Sequence, residues 1–311
     1  MTVQTLRSGR ARNDGPARRR GALRRTLTAA LSTGRGRVGL GLMLLIIALA
    51  FIGPYLTPND PTMFVGPPYA PPSHGLPLGT DDLGRDVLSR LLDGGRYLLL
   101  VAAAATAAAV AVGAMAGVIA AYRQGRAGGA IMRVTDVFLA FPQIVFVLLL
   151  VSVLGASTWL LIVAVAIVQA PQVARVVYGA AQDVCERDFV KAVALWGVPP
   201  RTVIRRQVMP SLTTPLAVEG GLRLGFSIIL ISGLNFLGFG VQPPNPSWGV
   251  MVNENLLGIR ANMWGVIAPA IVLALLAVGT NMFADSLARA AFGAEQAEDF
   301  VAGSALGVGP S

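Results

Sequence analysis

A compact group of carboxylates with a cation is Leu78-Gly79-Thr80-Asp81-Asp82-Leu83-Gly84-Arg85-Asp86, whose last eight residues hold three aspartates, two glycines and an arginine. Paired carboxylates at this spacing suit acid–base chemistry or a calcium ion, but the oxygen-rich loop of a calcium hand is missing. Aspartates also accept backbone N–H groups, and glycines admit positive φ. Gly79, Asp81, Asp82, Gly84, Arg85 and Asp86 therefore read as a tight, internally bonded brace. Other chemistry is scarce. Glu219 and Arg223 stand four apart, where a helix lets them neutralise each other. The single cysteine, Cys185, excludes an internal disulfide, and the single histidine, His74, leaves no Cys/His cluster for zinc. The only lysine, Lys191, lies between Val190 and Ala192, so no Gly-Lys-Ser/Thr phosphate loop exists. No catalytic residue and no metal ligand is assigned, and the chain is not expected to be an enzyme.

The elements that must position these residues are apolar. Of 311 residues 54% are hydrophobic and 13% charged, and the mean hydropathy is +0.64. A soluble domain carries about 25% charged residues, so lipid is the simpler solvent for this exterior. The net charge of +9 does not require nucleic acid, because ten of the 25 basic residues fall in the first 37 positions and most others lie between apolar runs. That pattern fits anionic lipid and topology control. The expected organisation is a disordered basic arm over 1–37, a first membrane helix over 38–56 and an external segment over 57–96. A five-helix core over 97–292 and a flexible tail over 293–311 complete it. Spans of the core are expected near 97–122, 134–154, 158–178, 216–240 and 264–288, each long enough for about 30 Å of hydrocarbon. The fold class is thus an all-α integral membrane protein with about six transmembrane helices. Counting basic residues in the connections puts both termini, and the long loop 179–215, in the cytoplasm. Gly113 and Gly117 are spaced for close helix contact, and Phe141-Pro142 and Ala170-Pro171 mark bends.

Two more stretches stand out. Asp188 to Trp196 reads as a short helix, Gly197 as a break, and Pro200 as the start of a second helix that Pro210 stops. Val203, Ile204, Val208 and Trp196 form an expected apolar patch beside Arg201, Arg205 and Arg206. Such a loop suits docking in a partner's groove, and equally an interfacial helix on anionic headgroups. The residues alone do not separate the two. The run Asn235-Phe236-Leu237-Gly238-Phe239-Gly240-Val241-Gln242-Pro243-Pro244-Asn245-Pro246-Ser247-Trp248-Gly249 reads as a span end, an extended outer loop and an interfacial tryptophan. Inside the spans, Gln169, Gln172, Arg175, Glu219, Arg223, Asn235, Asn281 and Asp285 are the polar residues to explain.

These three stretches, in this order over about residues 38–292, resemble the inner-membrane permease subunits of bacterial oligopeptide and dipeptide ABC transporters. The match is to the subunit with an extra N-terminal span and a Gly-Thr-Asp-x-Leu-Gly-Arg-Asp segment. The 191–210 loop is similar to that family's Glu-Ala-Ala-x3-Gly coupling motif with a later Leu-Pro. Lys191, Ala192 and Val193 stand at the first three positions, Gly197 at the glycine and Met209-Pro210 at the Leu-Pro. No role of the opening glutamate carries over to Lys191. The resemblance implies the type I ABC importer permease architecture in a bacterial inner membrane, working by alternating access. It also implies that Phe189, Lys191, Ala192, Ala194, Trp196, Gly197, Arg201, Ile204, Arg205 and Pro210 couple the chain to an ATPase. Two ATPase subunits would bind the ATP and magnesium, and this chain no cofactor. A second homologous permease, an external solute-binding protein and membrane lipid are the other implied partners. Peptides lie at the family's centre, with nickel or glutathione as alternatives. A secondary transporter would need repeated halves with interrupted helices, and none is found.

Overall fold

The computed structural model describes residues 25–240 and 245–305. Among them the chain is all-α, with only isolated bridges such as Phe64–Arg85 and Thr80–Asp86. Residues 25–32 are helical. The remaining helices are α1 Gly34–Ile52, α2 Val87–Asp93, α3 Gly95–Arg123, α4 Gly125–Leu139, α5 Gln143–Leu154 and α6 Thr158–Cys185. They continue with α7 Asp188–Leu195, α8 Pro200–Val203, α9 Thr213–Phe236, α10 Trp248–Asn255 and α11 Trp264–Ala305.

Both expected loose ends are shorter than composition implied. Residues 25–32 hold Leu, Ala and Thr rather than an Arg/Gly tract, and the Thr33 hydroxyl caps α1 by accepting the Gly36 amide at 3.1 Å. The arm expected over 1–37 therefore gives way to helix from residue 25, and residues 1–24 lie outside the described residues. At the other end α11 runs on through an Ala- and Glu-rich stretch to Ala305, because those residues are good helix formers. Residues 306–311 lie outside the described residues.

The span expected over 134–154, with a bend marked at Phe141-Pro142, breaks there outright. It is two helices, α4 and α5, bent by 82° at Ala140-Phe141-Pro142. Pro142 offers no N–H to the turn before it and pushes Phe141 out of helical space. Phe138 and Phe141 flank Phe146 across this elbow, with ring centroids 6.2 and 6.5 Å away.

The helix pairing then determines the crossings. A Cβ on Gly113 would meet the Ala170 carbonyl at 2.5 Å, and one on Gly117 would meet that of Ala174 at 2.5 Å. The two contacts advance together along both helices, so α3 and α6 run parallel. The Tyr97 and Thr158 hydroxyls, at the two starting ends, are 2.7 Å apart. Parallel neighbours require the bent α4–α5 pair to carry the chain back across, which makes six crossings of the five straight spans and this pair. In contrast α1 packs antiparallel on α11, with Gly39 against Phe283 and Gly279 against Met43. Pro171 lies inside α6 without ending it.

Two apolar clusters fill the bundle. One joins α1, α2, α3, α5, α6, α9, α10 and α11 near the brace, through residues such as Leu98, Leu161, Ile231, Trp248 and Leu276. The other lies at the far end of α3 and α6, where Val118, Ala121, Val177 and Val184 meet Val190, Val203, Val208 and Leu212.

Candidate functional site

The structure brings two groups of sequence-selected residues together, at opposite ends of α3. With 29 residues, α3 is about 43 Å long at 1.5 Å per residue.

At the starting end, the Asp81 carboxylate is the hub. Its Oδ1 accepts the amides of Leu83 at 3.0 Å and Arg85 at 2.8 Å. Its Oδ2 accepts Arg85 Nε at 2.7 Å and a short bond from Arg90 Nη1. Gly79 and Gly84, with φ +72° and +82°, let the chain double back. Asp86 caps α2 through the Leu88 amide, and its other oxygen accepts the Ser89 hydroxyl and Asn59 Nδ2. Asp82 lies 3.0 Å from Arg85 Nη2. Burial, and then the charges of Asp82 and Asp81, push the Tyr69 phenol above its ordinary range. Asp81, Asp82 and Glu254 have oxygens within 4.8 Å of one another, close enough to hold a metal ion. Two guanidinium groups already stand among them, since Arg90 Nη1 is 2.9 Å and Arg85 Nη2 3.4 Å from Glu254 Oε2. Glu254 and Asn262, which donates to the Leu78 and Thr80 carbonyls at 2.9 Å, were not singled out from the sequence. The available signal was that Glu254 is the one acidic residue between Trp248 and Trp264.

Trp248 corrects another expectation. It is no interfacial anchor but fully buried, its Nε1 donating to the Leu91 carbonyl at 2.8 Å. Gly95 makes the space, because a Cβ there would meet the indole at 2.3 Å. Beside it Asn235 donates to the Ser247 hydroxyl at 2.8 Å. Residues 241–244, including Pro243 and Pro244, lie outside the described residues.

At the far end, α7 and α8 form the expected helix–break–helix. Gly197 turns the chain at φ +74° with open space around it. The apolar patch is divided differently from the expectation. Val203 and Val208 are buried and Ile204 is partly so, all against α3 and α6. The exposed apolar surface is Leu195 and Trp196, at 87% and 81%, with Phe189 beside them. Lys191, Arg201, Arg205 and Arg206 are exposed on the same loop, and Ala192 is half-buried. The Ala194 side chain lies outside the described residues. Pro210 does not stop the second helix. A wide π turn, Ile204–Val208, absorbs the strain before it, and Pro210 opens a 3-10 turn that continues into α9.

Between the ends, polar residues tie spans to one another. Gln169 of α6 donates to the Ser227 hydroxyl of α9 at 2.7 Å, and Thr106 of α3 is 2.8 Å from the same hydroxyl. Glu219 and Arg223 pair at 2.7 Å, as their spacing predicts, and Arg223 also reaches Gln172. Arg175 pairs with Asp136 across α6 and α4, both exposed. Cys185 is buried within the second apolar cluster.

Residues 113–292 match the family described as binding-protein-dependent transport system inner membrane component. The di/tripeptide transport system permease protein DppC of Pseudomonas aeruginosa is 34% identical over 256 residues, covering 80% of this chain and 84% of that one. The glutathione transport system permease protein GsiD of Pectobacterium atrosepticum is 34% identical over 247 residues, covering 79% and 82%. A chain of the MetNI methionine ABC transporter, in an inward-facing conformation, superposes with a TM-score of 0.52 at 17% identity, covering 65% of this chain and 96% of that one. That last likeness is one of fold. With more than half of its length inside the family match and relatives aligned over four-fifths of it, the chain belongs to the binding-protein-dependent inner-membrane permeases of ABC importers.

Proposed function

We propose that the chain is the membrane-spanning subunit of an ATP-driven importer that takes up dipeptides or oligopeptides handed over by an external solute-binding protein. The observation that carries this reading is the alignment with a di/tripeptide permease over most of both chains. The glutathione relative supports glutathione, itself a small peptide, as the second reading. Two ATPase subunits that hold the ATP and magnesium drive the cycle, and a second homologous permease completes the pathway. The α7–α8 loop docks on an ATPase, with the loop end in the cytoplasm and the brace end outside. Its exposed Leu195 and Trp196, with Lys191, Arg201 and Arg205 exposed on the same loop, suit an apolar groove with an acidic rim. Its buried underside fastens the loop to α3 and α6, so a push on it moves both helices. Nucleotide binding shifts the equilibrium only if docking differs between the two states.

The test is ATP-dependent uptake of labelled dipeptide by the purified complex in vesicles, with wild type compared against Trp196→Asp. Trp196 is exposed, so the variant folds. It is expected to lose ATPase copurification and uptake together. Uptake of glutathione without dipeptide would move the second reading to first place. Wild-type chain that brings down no ATPase would overturn the importer reading.

A further inference from the structure

Where α1 begins, a cavity of about 420 Å³ opens between residues 25–32, the first turn of α1 and the stretch of α11 around Ser286. Ala29, Thr33 and Ala290 line it, and two arginines reach it from different helices, Arg35 of α1 and Arg289 of α11. The Thr33 and Ser286 hydroxyls donate to the Ala30 and Met282 carbonyls, so the arginines carry the recognition. Asp285 lies 3.8 Å from Arg289, and both are 62% exposed. Such an exposed pair is weak, and Arg289 stays available to another anion.

The level of the cavity points to lipid. The apolar run of α1 starts at Val38, three residues beyond Arg35, and Asp285 is the first charged residue of α11. The two arginines therefore stand where hydrocarbon gives way to water. From the cavity an exposed stripe descends α1 through Gly34, Val38, Gly41, Leu45 and Ile52, which share one face at helical spacing. Gly41 has open space before it, so the stripe is notched. The opposite face is locked to α11 at Gly39. Of the five straight spans, α1 is the least buried in the bundle.

We propose that this cavity binds the phosphate-bearing headgroup of an anionic phospholipid, shared between Arg35 and Arg289, with the acyl chains along the Gly34–Val38–Gly41–Leu45 stripe. A headgroup held by both helices clamps α1 to α11. Basic pockets between membrane helices recognise anionic headgroups in this way. The inference does not depend on the transported substrate.

The test is native mass spectrometry of the purified, delipidated complex titrated with phosphatidylglycerol or phosphatidylcholine. Phosphatidylglycerol is expected to bind in preference. Arg35→Gln with Arg289→Gln should weaken it about 30-fold, the effect of two surface arginines. Arg126→Gln with Arg133→Gln, which removes the same charge from α4, should leave it unchanged. Arg35→Lys with Arg289→Lys should keep most of the binding, which separates lost charge from lost fold. Equal binding of the two lipids, or full retention by the Arg35→Gln/Arg289→Gln variant, would overturn the proposal. So would inorganic phosphate binding as well as phosphatidylglycerol and displacing it, which would assign the site to a soluble anion.

Discussion

Asp81 takes four donors on two oxygens and is fully buried. Arg85 and Arg90 are buried with it, and Arg90 has only Asp81 and Glu254 among the described residues as ion-pair partners. Removing the Asp81 charge leaves two buried guanidinium groups with only the part-exposed Asp82 and Glu254 to neutralise them. Breaking one partner of such a buried network costs about 3–5 kcal/mol. Asp82 is also within reach of Arg85, but it is partly exposed and its loss is worth about 1 kcal/mol at most. Asp81→Asn should therefore abolish or sharply lower the thermal transition of the purified protein, and Asp82→Asn should hardly move it. Equal shifts in a thermal melt would show that the carboxylates share the load and that Asp81 is not the hub. The positive charge that a metal would bring to Asp81, Asp82 and Glu254 comes from Arg85 and Arg90. The melt of the wild type should accordingly be indifferent to calcium or a chelator.

Glycine governs how the helices approach. Gly113 faces a backbone carbonyl of α6 at a distance no Cβ tolerates, while Gly129 on α4 faces open space. Gly113→Val should force α3 and α6 apart at a cost of about 1–3 kcal/mol, and Gly129→Leu should not lower the melt. A melt in which both are silent would contradict the close α3–α6 contact. A close helix contact at this face of α3, though not its partner α6, was legible in the sequence, because Gly113 and Gly117 repeat at helical spacing in an Ala-rich run. So were the turn at Gly197, the Gly79 and Gly84 reversals, and the Glu219–Arg223 pair, since each is decided within a few residues. Long-range partners were not. Glu254 lies 169 residues from Arg85, and no local pattern links them. Trp248 was misplaced for the same reason, because its socket is Gly95 on another helix. The elbow left a signal in Pro142, but counting apolar residues measures length and not direction. The two ends were read as loose because composition weighs charge and glycine, and does not see a cap such as Thr33.

At the scale of the whole molecule, the number of crossings and the side on which each end lies follow from one argument. Parallel packing of α3 on α6 means that α4 and α5 together cross once. The brace and the α7–α8 loop then lie on opposite sides. Arginines of the brace end are largely neutralised, Arg85 and Arg90 being buried in ion pairs, which leaves Arg96 and Arg260. The loop end carries Arg35, Arg37, Arg123, Arg126, Arg133, Arg187, Lys191, Arg201, Arg205 and Arg206. The bias of basic residues towards the cytoplasm therefore makes that the expected side of the loop end. Single cysteines at His74→Cys and Trp196→Cys, both exposed positions, test this. The native Cys185 is buried and gives little background. An impermeant maleimide should label residue 74 from outside spheroplasts and residue 196 only in inverted vesicles. Labelling of both from one side would mean that the α4–α5 pair turns back without crossing, and the six-span count would fall. Labelling from opposite sides but reversed would keep the six crossings and overturn the orientation, leaving the α7–α8 loop unable to meet a cytoplasmic ATPase.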